Sequence, residues 1–341
     1  MNDLPQPVWL PVYAALVAVA GFMVWTSAFV NRMRDGCVLP FEPRRPVPWN
    51  AVGMAPGLLL LVLATLGTLA GGGEPAETLD DLAFIGNLAA AIVFSFVVLL
   101  GALGWVWQES GAKASDLGLA GGLRRVAGDV RLGVMGVFAS LVPVYLVSTV
   151  LAQYVEPPKH SLLEKLLDRP GLSVWSVIAF AAVVMAPIVE EYIFRVLMQG
   201  YLERPDVLGR RLEEEPLAEQ SEEERAGQHA EPLEEGSDEP LDDEAGWGDD
   251  FVPLAPISTP RTAWAPIVIS SLLWALTHQG QGSAPAPLFV LGLVLGYIYQ
   301  RTHRVLPCLV LHAVFNALSL TMAWALLKSQ DLDLDLVPVA P

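Results

Sequence analysis

Long apolar runs, separated by short stretches into which the charge is crowded, constrain this chain of 341 residues more than any other feature. A helix of about 20 apolar residues crosses a bilayer. Runs of that character lie at 8–30, 53–71, 82–107, 133–155, 174–200, 263–279, 286–301 and 304–327. In hydrocarbon every backbone N–H and C=O must be paired within a helix or a closed barrel. The expected fold is therefore an all-α polytopic membrane protein, a bundle of about eight transmembrane helices with two near the lower length limit. Residues Met1 to Pro7 carry Asp3 and no Lys or Arg, and the run from Val8 to Val30 exceeds the roughly 7–15 apolar residues of a signal peptide. It reads as a retained transmembrane helix.

The formal net charge of −17 is local in origin. Between Glu203 and Asp250 there are 19 acidic and 4 basic residues, so this stretch contributes 4 − 19 = −15. The segment 203–260, rich in Glu, Asp, Pro and Gly, buries too little apolar surface to offset chain entropy and is expected to be a disordered acidic insert. No basic patch with interleaved aromatics is present, which argues against a nucleic-acid partner; membrane lipid is the expected surroundings. Cys37 and Cys308 make no disulfide framework.

Basic residues orient the bundle. Arg32, Arg34, Arg44 and Arg45 follow the first span, Lys113, Arg124, Arg125 and Arg131 follow the third, and Arg301 and Arg304 lie between the last two. The loops 72–81 and 280–285 hold no Lys or Arg, while 156–173 dissents with Lys159, Lys165 and Arg169. The majority puts both termini outside and the basic loops, with the insert, in the cytoplasm of a multi-pass protein of the cell (plasma or inner) membrane. The polar stretch 108–132 reads as lying along the interface.

Ionisable groups within spans are costly, and each is a functional hypothesis. Glu190 and Glu191 are adjacent in an apolar helix, with Arg195 four residues after Glu191 and able to pair with it. Glu190 is rotated by about 100° and has no partner on its own helix. One carboxylate is thus structural, and the other keeps a lone pair for a water, its desolvation favouring a general base. Trp274 and His278 are one turn apart on a second helix, and His312 and Asn316 on a third. Each alone reads equally well as packing or interhelical glue. Together they supply what peptide hydrolysis needs: a base for water and donors for an oxyanion. No GxSxG or Ser–His pattern offers a nucleophile, so direct attack by water fits best. Gly292 and Gly296 form a small-xxx-small stripe, read as packing within the molecule.

In their order and spacing, Glu190–Glu191–xxx–Arg195, Trp274–xxx–His278 and His312–xxx–Asn316 resemble the CAAX prenyl endopeptidase and bacteriocin-processing (CPBP, or Abi) family of intramembrane proteases, whose motifs are EExxxR, FxxxH and HxxxN or HxxxD. The likeness covers a protease core at 108–202 and 261–330, preceded by N-terminal transmembrane helices at 1–107 and interrupted by the insert. It implies intramembrane proteolysis: Glu190 activates water with help from His278, His312 and Asn316 stabilise the oxyanion, and Glu191, Arg195 and Trp274 support them. Trp274 stands where the family usually has Phe. Glu190, His278 and His312 would also make a zinc set with one open position; the expectation is no tightly bound metal, with His312 serving the oxyanion. The implied substrate is a peptide or membrane protein, which includes a prenylated C-terminus. Two other readings stay open: a non-catalytic membrane scaffold or immunity protein on the same fold, and a proton-coupled transporter, against which the lack of paired broken helices argues.

Overall fold

The computed structural model describes residues 9–55, 59, 81–119, 123–155, 172–204, 207, 264–279 and 281–335, and every regular element among them is a helix. In chain order they are α1 (Trp9–Asp35), α2 (Asp81–Ser110), α3 (Leu123–Leu151), α4 (Leu172–Leu202), α5 (Trp264–Leu276), α6 (Pro285–Thr302) and α7 (Val305–Asp335). The chain is an all-α polytopic membrane protein. Five of these helices are long and apolar enough to cross a membrane, over Pro11–Asp35, Leu82–Ser110, Arg124–Leu151, Leu172–Leu202 and Val305–Ala325. α5 is shorter, with 13 residues, and α6 ends in the polar Gln300, Arg301 and Thr302. The expected span 53–71 and the acidic insert 203–260 lie outside the described residues except at their edges.

Apolar side chains face outward along the outer helices, as lipid contact requires. Phe22, Met23 and Phe29 on α1 and Val93, Phe94 and Val97 on α2 are all exposed. A helix apolar on every side is a membrane span rather than an amphipathic surface helix. The inner layer is formed by α3, α4, α5, α6 and α7, with Leu141, Leu197, Ile267, Leu291, Leu295, Tyr299 and Leu311 fully buried. α3 meets α7 along Gly133 and Gly136. A Cβ at Gly133 would come within 2.7 Å of the Pro307 backbone carbonyl oxygen, so only glycine permits this approach.

Among the described residues of the stretch 108–132 there is no separate interfacial helix. Asp116 accepts from the Lys113 backbone N–H at 2.7 Å and closes a turn, and residues from Leu123 onward already belong to α3. The arginines there extend a spanning helix, because its first turns need no apolar side chains once they leave the hydrocarbon. Three of the basic loops meet at one end of the bundle. Arg45 pairs with Asp116, Arg304 with Glu42 at 2.9 Å, and Arg301 Nε donates to Leu39 O at 2.8 Å. Burial would raise the Asp116 pKa, but the Arg45 guanidinium and the Lys113 N–H hold it below the usual carboxylate range.

α4 is the irregular helix, and the irregularity brackets the paired glutamates. Widened π-helical turns run over Ala181–Met185 and Tyr192–Gln199, with an α-helical segment Ala186–Glu191 between them. Pro187 sits at the start of that segment. A proline has no N–H and its ring clashes with the carbonyl four residues back, so the preceding turn must open. Such bulges gather at functional sites because they re-aim side chains.

Candidate active site

Glu190 and Glu191 leave α4 in different directions and meet different surroundings. Glu191 is 1% exposed, and both its oxygens are engaged: Oε2 accepts from Arg195 Nε at 3.3 Å, and Oε1 from His312 Nδ1 at 2.8 Å. The i,i+4 pairing expected from the spacing is present, and it is extended to a second helix. Glu190 is less enclosed, with a quarter (25%) of its side chain exposed. Its Oε2 accepts from Trp274 Nε1 at 2.6 Å and lies 3.8 Å from His312 Nε2. α4, α5 and α7 thus converge on one pair of carboxylates.

The bonds assign the imidazole protons. His312 Nδ1 faces a carboxylate and therefore carries the hydrogen, which turns Nε2 toward Glu190. His278 Nδ1 lies 3.1 Å from Trp274 O and 3.1 Å from Thr277 Oγ1. The Thr277 hydroxyl itself donates to Trp274 O at 2.6 Å, so it accepts from the imidazole, and His278 keeps its lone pair on Nε2. His278 packs edge-on against Trp274 with ring centroids 5.6 Å apart, and His312 does the same from the other side at 5.3 Å. Trp274 is the centre of the cluster. The Arg195 guanidinium lies over its ring, 5.6 Å from the centroid.

Three placements go beyond the sequence reading. Trp274 is a hydrogen-bond donor to Glu190 as well as an aromatic wall, which the family's usual Phe could not be. Asn316 Nδ2 donates to Ala182 O at 2.8 Å and so ties α7 to the first widened turn of α4. Ser270 and Ser271, fully buried on α5, accept from Arg195 Nη1 at 3.1 and 3.3 Å. The sequence signal for these serines is their place on the helix of Trp274, one turn before it. Among the described residues no three His, Cys, Asp or Glu side chains gather in a way that could hold a metal ion. Cys308 is buried, its thiol toward Leu295 O at 3.5 Å, as a packing residue would be.

Residues 251–318 match the Rce1-like family of type II CAAX prenyl endopeptidases. The matched stretch holds Trp274, His278, His312 and Asn316, and it ends two residues beyond Asn316. No curated protein and no solved structure matches the chain. The match takes in the second and third of the three motifs, on α5 and α7, and over that stretch the chain is similar to the Rce1-like, type II CAAX prenyl endopeptidase family, in keeping with a CPBP-type protease.

Proposed function

We propose that the chain is an intramembrane endopeptidase, CAAX-protease-like, in which Glu190 activates a water for direct attack on a peptide carbonyl. The observation that supports this most is the unequal treatment of two adjacent carboxylates. Glu191 is buried with both oxygens bonded, as a structural group is; Glu190 is partly open and faces an imidazole nitrogen 3.8 Å away. A general base needs an accessible lone pair near the reacting water. Glu190 takes the proton of that water, and His278, with its lone pair on Nε2, assists Glu190 and carries a proton to the leaving amine. His312 serves the oxyanion from Nε2 as the imidazolium, whose charge Glu191 balances. Asn316 has a second amide hydrogen for the same oxyanion, beyond the one committed to Ala182.

The substrate is a peptide presented at the membrane boundary: a prenylated C-terminus, a leader or bacteriocin-like peptide, or another membrane protein. The basic loops face the cytoplasm of the cell membrane in this reading. The test is hydrolysis of a quenched peptide library, half of it prenylated, by the full chain in proteoliposomes. Wild type is expected to cleave, with Glu190→Ala and His278→Ala inert. Equal rates in all three, or three inert proteins, would defeat the assignment. Repeating the assay with a chelator should leave the rate unchanged.

A further inference from the structure

The buried polar groups of α4 do not stop at Arg195. From Glu191 a polar side chain recurs at every fourth position, through Arg195 and Gln199 to Glu203. Gln199 is fully buried, as are Ser270 and Ser271. A buried amide is tolerated only when its bonds are made, and here both ends are used. Gln199 Nε2 donates to Gly296 O at 2.8 Å and to Glu203 Oε1 at 2.9 Å, while its Oε1 lies 3.2 Å from the Ser270 hydroxyl, whose proton it shares with Ile267 O at 3.2 Å. The two acceptors on the nitrogen side fix which way the amide faces. Ser270 in turn accepts from Arg195 Nη1, and Arg195 Nε holds Glu191, whose other oxygen holds His312. At the far end, Glu203 Oε2 accepts from Arg44 Nη2 at 3.2 Å, and Arg44 Nη1 donates to Tyr299 OH at 3.1 Å. One unbroken chain of polar contacts therefore runs from His312 to the basic loop after α1.

The glycine stripe of α6 makes room for this chain. A Cβ at Gly296 would lie 2.9 Å from Gln199 Oε1, and one at Gly292 would lie 2.9 Å from Ser271 Cβ. The stripe is used inside the molecule, and what it admits is polar. The geometry also shows why Arg195 needs the chain. Its single bond to Glu191 is long, at 3.3 Å, and the guanidinium is further held by Ser270 and Ser271 on Nη1 and by the Trp274 ring beneath it. We propose that Gln199, acting through Ser270 and Arg195, is a positioning residue for the Glu191–His312 pair. Its bearing on hydrolysis rests on the function proposed above; its bearing on His312 does not.

The test reads His312 directly. The full chain, labelled with 15N-histidine in detergent micelles at one fixed pH, has five histidines, and the His312 signals are those lost in His312→Gln. Gln199→Met keeps the side-chain volume and removes both ends of the amide. It is expected to move the His312 ring nitrogen shifts, to lower kcat about tenfold, and to leave KM within about twofold. Ser270→Ala is expected to move the same signals, and the two changes together should do less than their sum, since they cut one chain. Unmoved His312 signals in Gln199→Met with a wild-type melting profile would overturn the proposal. Should Gln199→Met fail to fold, Ser270→Ala alone decides by the same signals. Moved signals in a protein that cleaves nothing would sink the endopeptidase reading and leave this one standing.

Discussion

Asn316 Nδ2 donates to the Ala182 carbonyl at 2.8 Å, and the residue that the widened turn would otherwise offer that carbonyl is Pro187, which has no N–H. In this turn the Ala186 N–H reaches back five residues to Ala181 O, and the next bond in the series would come from residue 187. The proline opens the turn and orphans an acceptor; the asparagine on α7 replaces the missing donor and docks α7 beside the glutamates. Asn316→Ala leaves the carbonyl unpaired and is expected to destabilise the fold by about 1–3 kcal/mol. Pro187→Ala returns the N–H, so the double variant Pro187→Ala/Asn316→Ala is expected to recover part of that loss. The measurement is denaturant unfolding in mixed micelles. Strictly additive losses would show that the two residues do not serve the same carbonyl.

The Glu191–Arg195 pair is buried to 1% and 0% exposure, in a setting where one charge without the other is far worse than neither. Removing one partner of a buried pair costs about 3–5 kcal/mol, whereas replacing both with apolar residues is often tolerated. Arg195→Met and Glu191→Leu are each expected to abolish stable folding, and the double variant to regain a cooperative melt without activity. Glu190→Gln is expected to melt within about 1 kcal/mol of wild type, as partly exposed groups do, yet to hydrolyse nothing. If Glu190→Gln unfolds and Arg195→Met does not, the division of roles between the two glutamates is reversed.

The sequence makes the pairing of Glu191 with Arg195 legible because an i,i+4 spacing needs only a helix to become a contact. The one-turn spacings of Trp274 with His278 and His312 with Asn316 are legible for the same reason. Which helix face meets which is a different matter. The widened turn Ala181–Met185 rotates the glutamates that follow it relative to a uniform helix, so angles taken along the chain do not predict which of them meets α7, where Glu191 receives His312 Nδ1. Tertiary partners with no local signature stay hidden as well. Trp49 donates from Nε1 to Leu197 O at 3.1 Å, across a separation of 148 residues, and nothing near Trp49 in the sequence marks it as a prop for the second widened turn. Gln199 was within reach of the sequence: it continues the four-residue ladder from Glu191 and Arg195 inside an apolar run.

The bond from Trp274 Nε1 to Glu190 Oε2, at 2.6 Å, is a contact that a phenylalanine cannot make. Trp274→Phe keeps an aromatic wall against both imidazoles and removes that donor. A hydrogen bond to a charged group is worth about 1.5–3 kcal/mol, and the loss is expected to appear as disorder of the Glu190 side chain rather than as weaker substrate binding. The expected outcome is a fall in kcat of about tenfold with KM nearly unchanged. A change in KM alone would mean that Trp274 contacts substrate and does not hold the base.

His303 closes α6 in the left-handed region, at φ 53°, and is buried between the Phe41 and Tyr299 rings. Burial first, then the Arg44 and Arg301 guanidinium groups, hold its pKa well below the usual 6.5. The Glu203 carboxylate, 3.7 Å from Nδ1, is already bonded to Arg44 and does not reverse this. The folded protein therefore keeps His303 neutral, while the unfolded chain takes up a proton as pH falls through 6.5. The unfolded state binds more protons there, so stability falls on acidification, by at most about 1.4 kcal/mol per pH unit from this group. Above that pH both states are neutral and the group contributes no slope. His303→Asn suits the left-handed backbone and removes the titration. Its melting temperature is expected to depend less on pH than that of wild type between about pH 6.5 and 5, the window below the ordinary histidine pKa. Parallel losses in the two proteins over that window would place the acid sensitivity on other groups.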